Sequence, residues 1–150
     1  MTQTDDPRVE AAIALIRNGE GDVLLLWNAK WGGFTWPMTK IRLGEEPCAA
    51  AERAGAEALG VPVRAGEGRR LEGNLHVGGR DNTIKLYVYH AYPVAAHPRF
   101  AAQARPTGVH IWLSVADIQS GVATPKSRDI RPLSDTCYEL IGAMVTAGVL

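Results

Sequence analysis

The segment that decides the fold runs from Trp36 to Val61 and reads WPMTKIRLGEEPCAAAERAGAEALGV. Its second half predicts a helix, because six alanines lie between positions 47 and 59 and alanine has the highest intrinsic helix propensity. Pro47 suits the first helical position, where its missing N–H is not needed. Gly60 is predicted to end the helix, and the proline two residues later prevents its continuation.

Charged side chains follow a definite pattern along this segment. Glu45 and Glu46 precede the predicted helix, and Glu52, Arg53 and Glu57 lie on it. Arg53 and Glu57 are four residues apart and therefore share one helix face. Glu52 is one residue from Arg53, about 100° around the helix, so we expect its side chain to point elsewhere.

The segment 39–61 resembles the Nudix box. That pattern is Gly, five residues, Glu, seven residues, Arg-Glu, an apolar residue, any residue, Glu-Glu, any residue, Gly and an apolar residue. The spacing agrees without a gap, and the matching residues are Glu45, Arg53, Glu57, Gly60 and Val61. The positions that depart from the pattern are Thr39, Ala54, Gly55 and Ala58. The resemblance therefore implies a Nudix scaffold with a degenerate box.

In Nudix hydrolases, the glutamates after the box Arg hold Mg²⁺ or Mn²⁺ on a diphosphate while water attacks phosphorus. Ala54 and Ala58 replace two of these three glutamates, and alanine cannot ligate a metal. The resemblance thus implies Glu57 as the remaining catalytic and metal-binding residue, with Mg²⁺ or Mn²⁺ bound weakly or not at all. The residues to which it assigns a structural role are Glu45, Arg53 and Gly60.

Substitute metal ligands are the alternative to a lost metal site. Mg²⁺ manages with one or two protein carboxylates when phosphates and waters complete its octahedral shell. Glu57 with Glu46, or with a carboxylate from a distant part of the chain, is then the candidate site. The distant carboxylates considered are Glu72, Asp81 and Glu139.

The remaining elements follow from hydrophobic periodicity and turn residues. Strands are predicted at 9–16, 23–27, 69–77, 83–92 and 109–113, the first two as a hairpin. A short helix is predicted after Ser114 and a longer one from about 133 to 147, with an apolar stripe formed by Cys137, Leu140, Ile141, Met144 and Val145. This order is also that of the Nudix fold. The resemblance implies an α+β fold, an α/β/α sandwich whose mixed β-sheet packs between helices, in a single domain over 1–150.

Four aromatic residues lie within ten positions just before and at the start of the box. Trp27 and Trp36 are predicted to pack between the sheet and the helix. Trp31 and Phe34 flank a Gly-Gly pair and are the candidates for stacking on a nucleobase or another ring.

Three further groups are candidates for contacts with a ligand or partner. Lys40 and Arg42 crowd the box, where they either hold a phosphate in place of a metal or remain solvated. Tyr87 and Tyr89 share one face of the strand 83–92, which either borders a pocket or faces solvent. The segment 93–108 is long for a connection and is a candidate lid, binding loop or partner contact.

Composition limits the class of protein. The 150 residues are 46% hydrophobic and 21% charged, and sixteen basic residues balance sixteen acidic ones. These values suit a globular protein and give no strong nucleic-acid signal. The polar, acidic start is unlike a signal peptide, and no apolar run is long enough to span a membrane. With two cysteines predicted to be reduced, a cytoplasmic location without membrane contact is expected.

Three functions are consistent with these observations. The first is binding of a nucleotide-type or phosphorylated ligand, or of a protein, with little or no hydrolysis. The second is a divergent Mg²⁺-dependent Nudix hydrolase that cleaves a nucleoside diphosphate linked to another moiety. The third is a protein-interaction domain. Homodimers are common among similar proteins, so a homodimer is one candidate state.

Overall fold

The computed structural model describes residues 8–78, 83–120 and 132–150. The strands are β1 (Arg8–Leu15), β2 (Val23–Asn28), β3 (Gly33–Thr35), β4 (Met38–Lys40), β5 (Val63–Ala65), β6 (Arg69–Gly78), β7 (Thr83–Ala96) and β8 (His110–Leu113). The helices are α1 (Pro47–Leu59), a 3₁₀-helix (Pro98–Gln103), α2 (Val115–Ser120) and α3 (Asp135–Ala147). None of the helices in these ranges is long and apolar enough to cross a membrane.

The strands form two sheets. The larger sheet has the order β4-β1-β7, and β6 and β5 pair with β7 as well. β1 and β7 are parallel, whereas β4, β5 and β6 pair antiparallel to their neighbours. The smaller sheet is antiparallel, with β2 between β3 and β8. The larger sheet is therefore mixed, as the resemblance implies.

Strand β1 separates two hydrophobic cores. Its apolar residues from 11 to 15 are all buried, because alternate side chains point to opposite faces of the sheet. Ala11, Ile13 and Leu15 pack in one core with the apolar stripe of α3. Ala12 and Ala14 pack in the other core with α1. Helices α1 and α3 thus cover opposite faces, which confirms the arrangement of a mixed sheet between helices.

The predicted hairpin of the first two strands is wrong beyond its turn. The turn is closed by a bridge between Arg17 and Val23 and by a 2.9 Å bond from the Leu24 N–H to the Ile16 carbonyl. The two strands then diverge into different sheets. Both edges of each strand are occupied by other partners, β4 and β7 for β1 and β3 and β8 for β2.

Both long helices begin and end close to the predicted positions. α1 starts at Pro47, and Gly60 follows it at φ 69°, donating its N–H to the Ala56 carbonyl over 2.8 Å. Ser134 caps α3 by accepting the Cys137 N–H. Four members of the predicted α3 stripe are buried, but Val145 is exposed. Both cysteines, Cys48 and Cys137, are free thiols.

The expectation that Tyr89 faces a pocket or solvent is wrong. Its side chain is 2% exposed, its ring stacks on Tyr87 at 6.0 Å, and it packs in the α3 core. Burial raises the pKa of the Tyr89 phenol to about 12. α3 covers the face of β7 that carries Tyr89. The alternation of apolar and polar residues along this strand therefore does not separate a buried face from an exposed one.

Gly55 is the position at which α1 approaches the sheet most closely. A methyl group there would lie 2.7 Å from Cγ1 of Val94 and 3.2 Å from Cγ2 of Val63. Gly142, in the middle of α3, is exposed and would place a methyl group in open space. The two glycines therefore differ in steric surroundings but share a helical backbone.

We expect Gly55→Ala to be less stable than Gly142→Ala by about 1–3 kcal/mol in the free energy of unfolding. Both variants gain similar helix propensity, about 1 kcal/mol, so the difference isolates the clash with Val94. Chemical denaturation of both variants measures it. Equal stability of the two variants would show that Val94 moves aside without strain.

Candidate functional site

An ion pair between Glu45 and Arg53 holds the box loop against α1. Arg53 donates Nε to Glu45 Oε2 over 3.1 Å and Nη2 to Oε1 over 2.9 Å, a two-pronged contact. Its remaining donors reach Thr39 Oγ1 at 2.9 Å and the Lys40 carbonyl at 3.0 Å. Glu45 also accepts the Arg42 N–H at 3.0 Å. One guanidinium thus joins the loop, β4 and the helix.

The contacts of Glu45 stabilise its charged form. The hydrogen bond from Arg53 and the N–H of Arg42 lower the pKa of Glu45 from about 4.5 to about 2. Glu45 in turn raises the pKa of the Arg53 guanidinium. Both side chains are mostly shielded from water, with 16% of Glu45 and 20% of Arg53 exposed. Thr39, which stands where the box pattern has Gly, supplies an acceptor that glycine lacks.

The two alanines that replace box glutamates lie in a hydrophobic environment. Ala54 is 3% exposed and Ala58 is 2% exposed. Both belong to the α1 core, together with Leu24 and partly buried Leu26 and Trp112 on the smaller sheet. Two of the three positions that would present carboxylates in the box pattern are therefore apolar and packed.

Glu57 remains exposed at the end of α1, where the segment 93–108 reaches the helix. Thr107 donates its hydroxyl to the Glu57 carbonyl over 2.7 Å and its N–H to the Ala58 carbonyl over 2.8 Å. The Arg105 N–H donates to the Leu59 carbonyl over 3.1 Å. The later part of this segment thus satisfies carbonyls that a helix end leaves without partners, which is a structural role.

Carboxylates near Glu57 in sequence do not complete a metal site. Glu46 precedes the first turn of α1, about 16 Å from Glu57 along the axis at 1.5 Å per residue, too far to share an ion. Glu52 accepts the Ala65 N–H at 2.9 Å and so ties α1 to β5, pointing away from Glu57 as expected.

Among the described residues, distant carboxylates do not complete it either. Glu139 lies on α3, on the opposite face of the sheet from α1. Among the side chains described, no three His, Cys, Asp or Glu residues are grouped so that they could hold a metal. The Glu72 side chain and Asp81 lie outside the described part of the chain. The described donor set therefore does not fit Mg²⁺ or Mn²⁺.

The predicted ligand-binding residues occupy different environments. Lys40 and Arg42 are exposed, and their main chains are fixed by Arg53 and Glu45. Trp31 is 41% exposed, in the turn between β2 and β3. Among the described residues, no hydrogen bond or ring contact links Trp31 to the box.

The position of Phe34 does not suit contact with a ligand. Its side chain is fully buried, and its ring meets the Trp27 ring edge-on at 5.4 Å. Trp36 is also buried, at 1% exposure, and packs in the same core. Trp36 and partly buried Trp27 therefore pack against the sheet on the side of α3 rather than of the box helix α1, and Phe34 joins them there.

Sequence reasoning missed two residues close to the box. Leu43 is fully exposed in the box loop, although nothing in its side chain distinguishes it from a core leucine in the sequence. Trp112 lies opposite Leu24 on β8 and packs in the α1 core. In the sequence, Trp112 lies between the apolar residues Ile111 and Leu113, and this apolar run could have indicated that both faces of the strand are covered.

Acid should weaken the fold through Glu45. Its folded-state pKa lies below its ordinary value, so its contribution is full above about pH 4.5 and disappears as the pH falls to about 2. We expect Glu45→Gln to lower the unfolding midpoint at neutral pH and to flatten the acid dependence in that window. Glu46→Gln, an exposed neighbour, is the control. Thermal unfolding of the three proteins between pH 2 and 6 measures the effect, and parallel curves would contradict it.

Restoring a box glutamate should destabilise the chain. We expect Ala58→Glu to lower the free energy of unfolding by about 1–3 kcal/mol more than Ala49→Glu, because a carboxyl group enters a packed apolar site. Ala49 is exposed on the same helix and provides the matched control. Denaturant titration with and without Mn²⁺ measures the cost and any recovery by the metal. An equal cost at both positions would show that position 58 is open to solvent.

Comparison with known proteins agrees with this architecture. The family model described as "NUDIX domain" matches residues 7–135. Similar solved structures include the MutT protein of Methanosarcina mazei Go1, with TM-score 0.63 and 18% identity, covering 95% of this chain and 99% of that one. The Ap4A hydrolase of C. elegans has TM-score 0.57 and 18% identity, covering 95% and 98%.

The E. coli ORF135 protein has a similar fold as well, with TM-score 0.55 and 19% identity over 94% of this chain and 93% of that chain. No curated protein sequence matches significantly. At these identities the structural likeness shows the fold, whereas the family match covers most of the chain. The chain belongs to the Nudix family.

Proposed function

We propose that this Nudix domain binds a nucleotide-type or phosphorylated ligand beside its box, with little or no hydrolysis. The observation that carries the proposal is the burial of Ala54 and Ala58 in an apolar core. Glu57 is the one carboxylate left among the three box positions that follow Arg53. Hydrolysis of a diphosphate needs its charge neutralised and water activated, and a single exposed carboxylate supplies neither.

Cations rather than a metal hold the anion in this proposal. Lys40 and Arg42 flank Ile41 in the sequence, and both side chains are exposed. Their main chains are held by hydrogen bonds to Arg53 and Glu45. A guanidinium or ammonium group binds phosphate oxygens through charge-assisted hydrogen bonds without needing carboxylate ligands. Trp31 offers an exposed ring for stacking if the base reaches the turn after β2.

Binding of ADP, a representative nucleoside diphosphate, tests this function. We expect ADP to raise the unfolding temperature equally with Mg²⁺ and with EDTA, because no metal bridges the contact. Lys40→Gln combined with Arg42→Gln should weaken ADP about tenfold, since two exposed charge contacts contribute about 1.4 kcal/mol together. Arg99→Gln, an exposed arginine on the 3₁₀-helix, is the control. Calorimetric titration measures the affinities.

The alternative, a divergent hydrolase, predicts metal-dependent turnover instead. It requires release of phosphate products from dinucleotides or nucleotide sugars with Mg²⁺ or Mn²⁺, and loss of that release in Glu57→Gln. Binding of ADP that appears only with Mg²⁺, together with such turnover, would overturn the non-hydrolytic proposal.

A protein-interaction domain is the second candidate function. The observation in its favour is the exposure of two large apolar side chains, Leu43 in the box loop and Trp31. Exposed apolar residues of this size are common singly on the surfaces of proteins, which weakens the case. A Leu43→Ser variant that elutes with unchanged size and keeps ADP binding would argue against it.

A further inference from the structure

A cavity of about 330 Å³ lies away from the box, at the ends of β1, β5 and β7. Its lining includes Leu15, Arg17, Arg64, Gly66, Ala95 and Val149. None of them belongs to the box segment 39–61. The volume falls at the lower end of the range for small-molecule sites, which suits a compact ligand rather than a whole dinucleotide.

We propose that this cavity binds a small amphipathic anion, a phosphate or carboxylate group attached to an apolar body. The lining contains two arginines, Arg17 and Arg64, and no acidic residue. Within the described ranges, neither arginine is in an ion pair with an acidic side chain. Both side chains are exposed, so their positive charges are accessible to an anion from solvent.

The contact of Arg64 with His97 strengthens this argument. Arg64 Nη2 lies 2.7 Å from His97 Nε2, while His97 Nδ1 lies 3.1 Å from the Arg99 N–H. A neutral imidazole has one acceptor nitrogen, and the other carries a hydrogen. Both donors cannot be satisfied by the same ring, so Arg64 competes for its partner and gains from an anion that accepts its hydrogen bond.

The rest of the cavity is apolar and is held in place by the sheet. Leu15 is buried at 3% exposure, and Val149 is partly buried and packs against the same core. The turn after β5 is fixed by a 2.7 Å hydrogen bond from the Gly66 N–H to the Pro93 carbonyl. Arg64 pairs with Ala95 across β5 and β7. This floor suits an apolar body, and its rigidity limits the entropy lost on binding.

Three probes separate the parts of the ligand. Phenyl phosphate carries both a phosphate and an apolar ring, inorganic phosphate carries only the anion, and benzyl alcohol only the apolar body. We expect phenyl phosphate to bind at least about tenfold more tightly than either of the others, and its affinity to fall as salt is raised. Benzoate in the same titration distinguishes a carboxylate from a phosphate headgroup.

Variants test the two arginines. Arg17→Gln and Arg64→Gln should each weaken phenyl phosphate about fivefold, with the double variant weaker still. Lys30→Gln removes the same charge from the turn between β2 and β3 and should leave affinity unchanged. Amide NMR signals of Gly66, Ala95 and Val149 should shift on titration, whereas those of Gly44 and Gly60 in the box should not.

Shifts confined to the box glycines would overturn this site and assign the probe to the box instead. Equal affinity for inorganic phosphate and phenyl phosphate would remove the apolar part of the proposal. Unchanged affinity in the double arginine variant would remove its anionic part. Because the ADP titration depends on Lys40 and Arg42 alone, failure of either site is distinguishable from failure of the other.

Discussion

The two-pronged pair between Glu45 and Arg53 is the interaction on which the architecture around the box depends. It links a loop with few hydrogen bonds of its own to a helix and to β4 at once, through four donor–acceptor contacts from Arg53. An isolated surface ion pair contributes little to the free energy of unfolding. Here all three nitrogens of a shielded guanidinium donate hydrogen bonds, so the contact also fixes the orientation of the groups it joins. The exposed side chains of Lys40 and Arg42 owe their placement to this anchor.

The other side of α1 depends on small side chains. Alanine and glycine at the buried positions let the helix lie close to β1 and β7, where Gly55 leaves less than a methyl group of space. Close packing of this kind stabilises through many weak dispersion contacts rather than through a few large residues. A box rich in glutamate would oppose the same approach, because carboxylates resist burial without a partner.

Much of this fold was readable from local chemistry. Helix propensity, Pro47 and Gly60 marked α1, and two adjacent strand patterns marked β6 and β7, which the structure pairs with each other. Strand partners were less readable, because β1 pairs with β7 and β2 with β8 across long stretches of the chain, whereas the pairing of β2 with β3 is local. The environments of Phe34 and Tyr89 were misjudged for the same reason. Both side chains are covered by α3, which lies about a hundred residues after Phe34 and about fifty residues after Tyr89 in the sequence.

The cavity between Arg17 and Arg64 was not readable at all. Its lining comes from the end of β1, the turn after β5, the late part of β7 and residue 149, so no motif or spacing connects its members. Each residue in isolation resembles an ordinary surface or strand residue. Only the pairing of β5 with β7 brings Arg64 next to this floor.

Electrostatics on α1 connects the alanines at 54 and 58 to the stability of the scaffold. In the box pattern, glutamates at 54, 57 and 58 would be three and four residues apart on one face, and such like-charged pairs destabilise a helix by about 0.2–0.5 kcal/mol each. A divalent ion offsets that repulsion when it is bound. With alanine at 54 and 58 the repulsion is absent, and the same face gains apolar contacts with Leu24, Leu26 and Trp112. With these residues the packing of α1 does not require a cation at 54 and 58, and the Glu45–Arg53 pair holds the box loop against the helix.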